Sequence, residues 1–116
     1  GTTPFEIHRI ELQKDGFLFH FTQPINQFIK LDPEKFVIQS YHYPYGPNYG
    51  YPKTDIQKIV PTRVEQSLDG STIRVMIPNL EERKIYQFNL PELKDPDGKS
   101  LRNPVAYYTL NELLDN

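Results

Sequence analysis

Apolar and polar residues alternate along this chain in short runs, and no long stretch repeats apolar positions at the spacing of a helix. Phe17, Phe19 and Phe21 share one parity while Leu18, His20 and Thr22 take the other, the two-residue period of a strand with one face buried. Ahead of it, Phe5 and Ile7 share one parity and Ile10 and Leu12 the other. That predicts a first strand over residues 5–14 with a bulge near His8–Arg9. Asp15-Gly16 between the two runs signals a tight hairpin, and Pro24 ends the second strand because proline has no N–H for a central ladder.

Further strands are predicted over 36–43, 59–66, 72–77, 84–90 and 104–110. Val37 and Ile38 are both apolar, which marks the third strand as central. Pro61 interrupts the fourth and points to a sheet edge. Ile73, Val75 and Ile77 share a face, as do Tyr86, Phe88 and Leu90. In the last strand, parity leaves open whether Tyr107 or Tyr108 points inward. Between strands, Asp32-Pro33-Glu34 predicts a short helical turn with Asp32 as its cap and proline at its first position. Residues 44–57 read as a long loop or ragged hairpin, Asp69-Gly70 and Asp95-Pro96-Asp97-Gly98 as turns, and 111–116 as a frayed turn or the start of a linker.

Seven short strands in about a hundred residues predict one all-β domain over 1–116, an immunoglobulin-like antiparallel β-sandwich. The expected core is Phe17, Phe19, Phe21, Val37, Ile73, Val75, Ile77, Tyr86, Phe88 and Leu110. Eleven prolines spread from Pro4 to Pro104 suit this punctuation and oppose long helices.

Composition narrows the function. Thirteen basic against fifteen acidic side chains give a net charge of −2, without the basic excess of a general nucleic-acid binder. No window approaches eighteen apolar residues, so no membrane insertion is expected. The absence of cysteine excludes disulfides, thiolate metal sites and thiol catalysis. Gly1-Thr2-Thr3 reads as a cut end of a longer protein, which leaves room for an export signal upstream.

Candidate chemistry is sparse. His8, His20 and His42 lack metal-ligand spacing, although His8 and His20 lie on adjacent strands and could meet across the hairpin. No serine stands in Gly-x-Ser-x-Gly. The carboxylate pairs Glu81-Glu82 and Glu6/Glu11 read as solvated acids. Asp95-Pro96-Asp97-Gly98 starts like a calcium loop but has no closing glutamate, so it reads as a plain turn. No catalytic residue, metal or cofactor is expected.

The unusual segment is 41–51, which holds Tyr41, Tyr43, Tyr45, Tyr49 and Tyr51 between Gly46, Pro47 and Gly50. Tyrosine joins a flat apolar face to a polar tip, which suits interfaces and sugar stacking. Three readings stand: rings folded over an open end of the sandwich, a protein-docking surface, or a carbohydrate platform. Asn48, Lys53 and Asp55 are candidate polar partners in the last two.

Phe19-x-Phe21-Thr22-Gln23-Pro24-Ile25 resembles a phrase of the second strand in bacterial immunoglobulin-like modules. Four further phrases are Asp32-Pro33 with Phe36-x-Ile38-x-Ser40-Tyr41-x-Tyr43; Tyr49-Gly50; Asp69-Gly70 with Ile73-Arg74-Val75; and Asp97-Gly98-Lys99-x-Leu101 leading to 104–111. Together they resemble the β-sandwich module of large exported bacterial proteins that carry glucose/sorbosone-dehydrogenase-like β-propellers, often with c-type cytochrome segments. The resemblance implies a non-catalytic accessory module, extracellular or periplasmic, with any redox chemistry elsewhere in the parent. It supplies no catalytic residue for this chain. The partners expected are neighbouring domains of the parent, or alternatively a glycan at the tyrosine segment, with the module itself monomeric.

Overall fold

A computed structural model describes residues 4–26, 28–42 and 54–114. Its strands are β1 (Ile7–Gln13), β2 (Gly16–Phe21), β3 (Val37–His42), β4 (Thr54–Ile59), β5 (Arg63–Gln66), β6 (Thr72–Met76), β7 (Lys84–Asn89) and β8 (Val105–Leu110). One sheet runs β1-β2-β6-β5 and the other β4-β3-β7-β8, with every pairing antiparallel. This is the strand order of an immunoglobulin-type sandwich, with one extra strand beside the third. The expected fold class therefore holds, with eight strands among the described residues in place of seven.

The additional strand is β4, most of which lies in the stretch 44–57 expected as a long loop or ragged hairpin. The run 59–66 was expected to be one interrupted edge strand. Instead β4 ends at Ile59 in the second sheet and β5 begins at Arg63 in the first. Pro61 is buried between them, where the chain changes sheets and no ladder needs its missing N–H.

Two-residue alternation then assigns the core. Phe17, Phe19, Phe21, Ile73, Val75, Ile77, Tyr86, Phe88 and Leu110 all point between the sheets and are buried. Phe17 packs against Tyr86, Phe88 and Tyr108 at centroid distances of 5.3, 5.1 and 5.1 Å, and Phe19 meets Phe88 edge-on at 4.9 Å. Tyr108 is thus the inward ring. Burying one such ring contributes roughly 1.5–3 kcal/mol. Val37 departs from expectation: β3 is central, yet Val37 is 42% exposed while Ile38 is buried, because consecutive residues of a strand face opposite ways.

The first hairpin also differs in detail. Gln13 pairs with Gly16, so Lys14-Asp15 form the loop and Gly16 opens β2. Gly16 does not serve a positive φ. A Cβ there would run into the carbonyl oxygen of Val75 and lie 2.9 Å from Met76 Cα; glycine lets β6 approach. The predicted bulge is present between Ile7 and Arg9.

Asp32 caps a single 3₁₀ turn over Pro33–Lys35 by accepting the Glu34 amide at 3.0 Å. At the upper end of the sandwich, where Phe21, Thr72, Asn89 and Val105 lie, the core is closed by Phe5, Ile25, Phe36, Leu90, Leu93 and Leu101 from the connections. The N-terminal segment is pinned at this end: Thr22 N–H donates to Glu6 O at 3.0 Å and Arg102 N–H to Phe5 O at 2.8 Å. The chain leaves β8 at the lower end, where Arg83 N–H donates to Leu110 O at 2.6 Å.

Candidate functional site

The tyrosine segment begins on β3. Ser40 pairs with the inward Tyr86, and Tyr41 pairs with Ile85 on the opposite face of the sheet. Tyr41 is nevertheless only 2% exposed, and its hydroxyl lies 3.3 Å from Gln87 Oε1. Its ring is therefore covered, outside the main core between the sheets. Tyr43, Tyr45, Tyr49 and Tyr51 lie outside the described residues, as do Asn48 and Lys53. The flanking residues His42 and Thr54 pair with one another at the lower end, close to where β8 ends.

Several of the titratable groups singled out in the sequence are held by ordinary structural bonds. The β1 bulge sets Arg9, not His8, opposite His20, so the two histidines are not brought together across the hairpin. His20 Nε2 instead lies 3.2 Å from Glu11 Oε1, which also holds Arg9 at 3.4 Å. Among the described residues no group of three His, Cys, Asp or Glu could hold a metal ion. Asp95 Oδ1 accepts the amides of Asp97 and Lys99 at 3.0 and 2.8 Å, and Gly98 takes a φ of 85°. That carboxylate is committed to its own turn.

Among the described residues, a depression of about 280 Å³ at the lower end is lined by Ser40, Lys58, Asn79, Glu81 and Tyr86 among others. Tyr86 sits near the start of β7, and its phenol oxygen accepts the Glu81 amide at 2.9 Å. This is the corner device of immunoglobulin-type folds, which the sequence reading missed because it needs the turn before β7 to fold back. Burial raises the Tyr86 pKa above its ordinary 10, ahead of the opposing hydrogen bond from Glu81. A phenol so held stays protonated and makes a poor base. Glu81 is bonded to Lys84 at 2.5 Å, and Glu82 Oε2 accepts the Leu113 amide at 2.8 Å. Their bonds tie a corner together.

Two surface features were not anticipated. At the upper end, Pro24, Ile25, Asn26, Phe28, Asp69 and Pro96 line a recess of about 290 Å³, with Phe28 85% exposed. Along one side, the edge strands β1 and β8 flank a groove of about 370 Å³ lined by residues including Ile7, Arg9, Ile10, Arg102, Ala106 and Tyr107. Neither carries a motif. Both arise from residues distant in sequence, and only the uncharged run of β8 hinted at the second.

No family model matches this chain, and no curated protein matches it. Solved structures do. The S-layer protein rSbsC(31-844) superposes with a TM-score of 0.68 at 24% identity over 97% of this chain. Domains 1-6 of the surface layer protein SbsC superpose with a TM-score of 0.69 at 23% identity, also over 97%. The N-terminal part of the bacterial S-layer protein SbsC gives 0.67 at 24% over 94%. This chain spans 14%, 14% and 24% of those chains. At such identities the likeness is one of fold. It corrects the expected resemblance to modules of glucose/sorbosone-dehydrogenase-like proteins: the matching structures are S-layer domains, and nothing supports a dehydrogenase parent. The short phrases behind that resemblance fall largely on turns and strands of the sandwich, and a shared fold does not identify a parent protein. What the chain resembles is a single sandwich from a longer bacterial surface-layer protein.

Proposed function

We propose that this chain is a non-catalytic structural module of a larger exported bacterial protein, located at the cell surface. The observation that carries the reading is that nearly the whole chain superposes on about a seventh of an S-layer protein. The fold supports it in a second way. The backbone is pinned at the upper end by Phe5 and Glu6 and leaves at the lower end after Leu110, so flanking domains would follow one another end to end. In this reading the tyrosines of 43–53, the residues that connect His42 to Thr54 along the chain, meet the following domain.

The reading is tested with the purified chain and with the parent protein. The chain should unfold in one cooperative transition and show no saturable retention on insoluble polysaccharides. In the parent, replacing Tyr43 and Tyr45 by serine should lower the melting temperature of the adjoining domain and leave the lone chain unchanged. Saturable glycan retention lost with those substitutions would replace docking by carbohydrate binding. A hydrolase or dehydrogenase activity of the chain abolished by one point substitution would overturn the non-catalytic reading.

A further inference from the structure

We propose that β8 is a self-pairing edge, through which two copies of this chain join antiparallel so that their β4-β3-β7-β8 sheets run on as one. The inference stands on the geometry of β8 and does not depend on the module reading above.

The direction of the free backbone groups comes first. Leu90 N–H donates to the carbonyl of Pro104 at 2.9 Å, and these residues are directly opposite in the β7–β8 register, which continues through Asn89↔Val105 to Lys84↔Leu110. Hydrogen-bonded and non-bonded pairs alternate in an antiparallel ladder. Ala106, Tyr108 and Leu110 therefore bond to β7. Val105, Tyr107 and Thr109 turn their N–H and C=O groups toward the open side, where β8 has no strand neighbour among the described residues; the bridge between Glu6 and Arg102 lies just before the strand begins.

Charge distinguishes this edge from the others. β1 carries His8, Arg9 and Glu11, β4 carries Lys58, and β5 carries Arg63 and Glu65, the usual means of blunting an edge against pairing. β8 reads Val-Ala-Tyr-Tyr-Thr-Leu, with no charge, proline or glycine. Tyr107 is 61% exposed on it.

The strand is complementary to itself. With Tyr107 opposite Tyr107 of a second copy, Val105 meets Thr109 and Thr109 meets Val105, so all three outward residues fall in hydrogen-bonded pairs. On the exposed face this sets ring against ring and one β-branched side chain against another, both favourable cross-strand pairs. On the other face it sets the small Ala106 opposite the large Tyr108, twice by symmetry. A groove runs along this side of β8, with Ile7 and Ile10 as well as Glu6 and Arg9 in its wall. The occupant that fits hydrogen bonding and side-chain size together is another copy of this chain. This replaces the expectation of a monomer.

The test is sedimentation velocity on the purified chain over a concentration series, with amide NMR confirming that every variant is folded. The wild type should show a reversible dimer. Tyr107→Lys, which sets two ammonium groups across the two-fold axis, should weaken it about tenfold or more. Thr109→Pro, which removes an outward N–H while β7 pairing is kept, should weaken it comparably. A wild type that stays monomeric across the series, or a dimer indifferent to both Tyr107→Lys and Thr109→Pro, would overturn the proposal.

Discussion

The phenol oxygen of Tyr86 accepts the backbone amide of Glu81 at 2.9 Å, closing the corner through which the chain passes from β6 to β7. Tyr86→Phe keeps the ring packed on Phe17 but orphans that amide. We expect a loss of about 1–3 kcal/mol, read by denaturant unfolding. Because burial raises the phenol's pKa above 10, the unfolded chain ionises first. The wild type should therefore lose stability as pH rises beyond 10, and Tyr86→Phe should lose less.

Lys84 shows the opposite economy of charge. Its side chain is 9% exposed and meets Glu81 Oε2 at 2.5 Å. Glu81→Ala leaves a buried ammonium without that partner; since Glu81 itself is half exposed, a loss of about 1–2 kcal/mol is expected, below that of a fully buried pair. Lys84→Met, which removes the charge and keeps the stem, should cost less. Chemical denaturation of the two variants side by side decides the order.

Asp69 makes a prediction for acid. Its Oδ1 accepts Ser67 Oγ at 2.7 Å, Ser71 N at 3.0 Å and Ser71 Oγ at 2.8 Å. These bonds, the Ser71 amide foremost, lower its pKa from 3.8 to about 2. A depressed folded pKa means the stabilisation is whole above 3.8 and is lost as pH falls toward 2. Thermal melts between pH 5 and pH 2 should show this decline, reduced in Asp69→Asn. An identical pH dependence in wild type and Asp69→Asn would count against it.

Two glycines should respond differently to alanine. At Gly16 the added methyl collides with the backbone of Val75 and Met76, which cannot yield without opening the β2–β6 ladder. At Gly98 nothing lies within 4 Å, but φ is +85°. Gly98→Ala should cost about 1–2 kcal/mol of backbone strain, and Gly16→Ala more, about 2–4 kcal/mol. Calorimetric melting temperatures give the comparison.

The core offers a contrast on one scale. Phe17→Ala removes a ring that touches three others and should cost about 3–5 kcal/mol, a large part of the 5–15 kcal/mol typical of a domain. Val37→Ala, at a half-exposed position, should cost under about 1 kcal/mol. Equal losses would mean that the two-residue alternation assigned the wrong face.

That contrast also marks what could be read from the chain. Alternation at Phe17–Phe21, Ile73–Ile77 and Tyr86–Leu90 is a local property of a pleated strand, so those strands and their inward faces, the β1 bulge and the capped turn at Asp32 follow from sequence alone, whereas the adjacent apolar pair Val37-Ile38 does not reveal which of the two is buried. Which sheet a strand joins is a long-range property. Nothing local to Pro61 says that β4 and β5 part company there. Phe5, Ile25, Leu93 and Leu101 lie in irregular segments without a period, and they are buried only because the upper end of the sandwich needs closing. The candidate surfaces obey the same division. The tyrosine-rich segment 41–51 was conspicuous as composition, yet the structure buries Tyr41. The uncharged run of β8 was equally plain to read, but it becomes an edge with free backbone groups only when β7 takes one side and no strand takes the other. Sequence determines what each strand presents; tertiary packing decides which presented face remains open, because burial and pairing are set by residues far away along the chain.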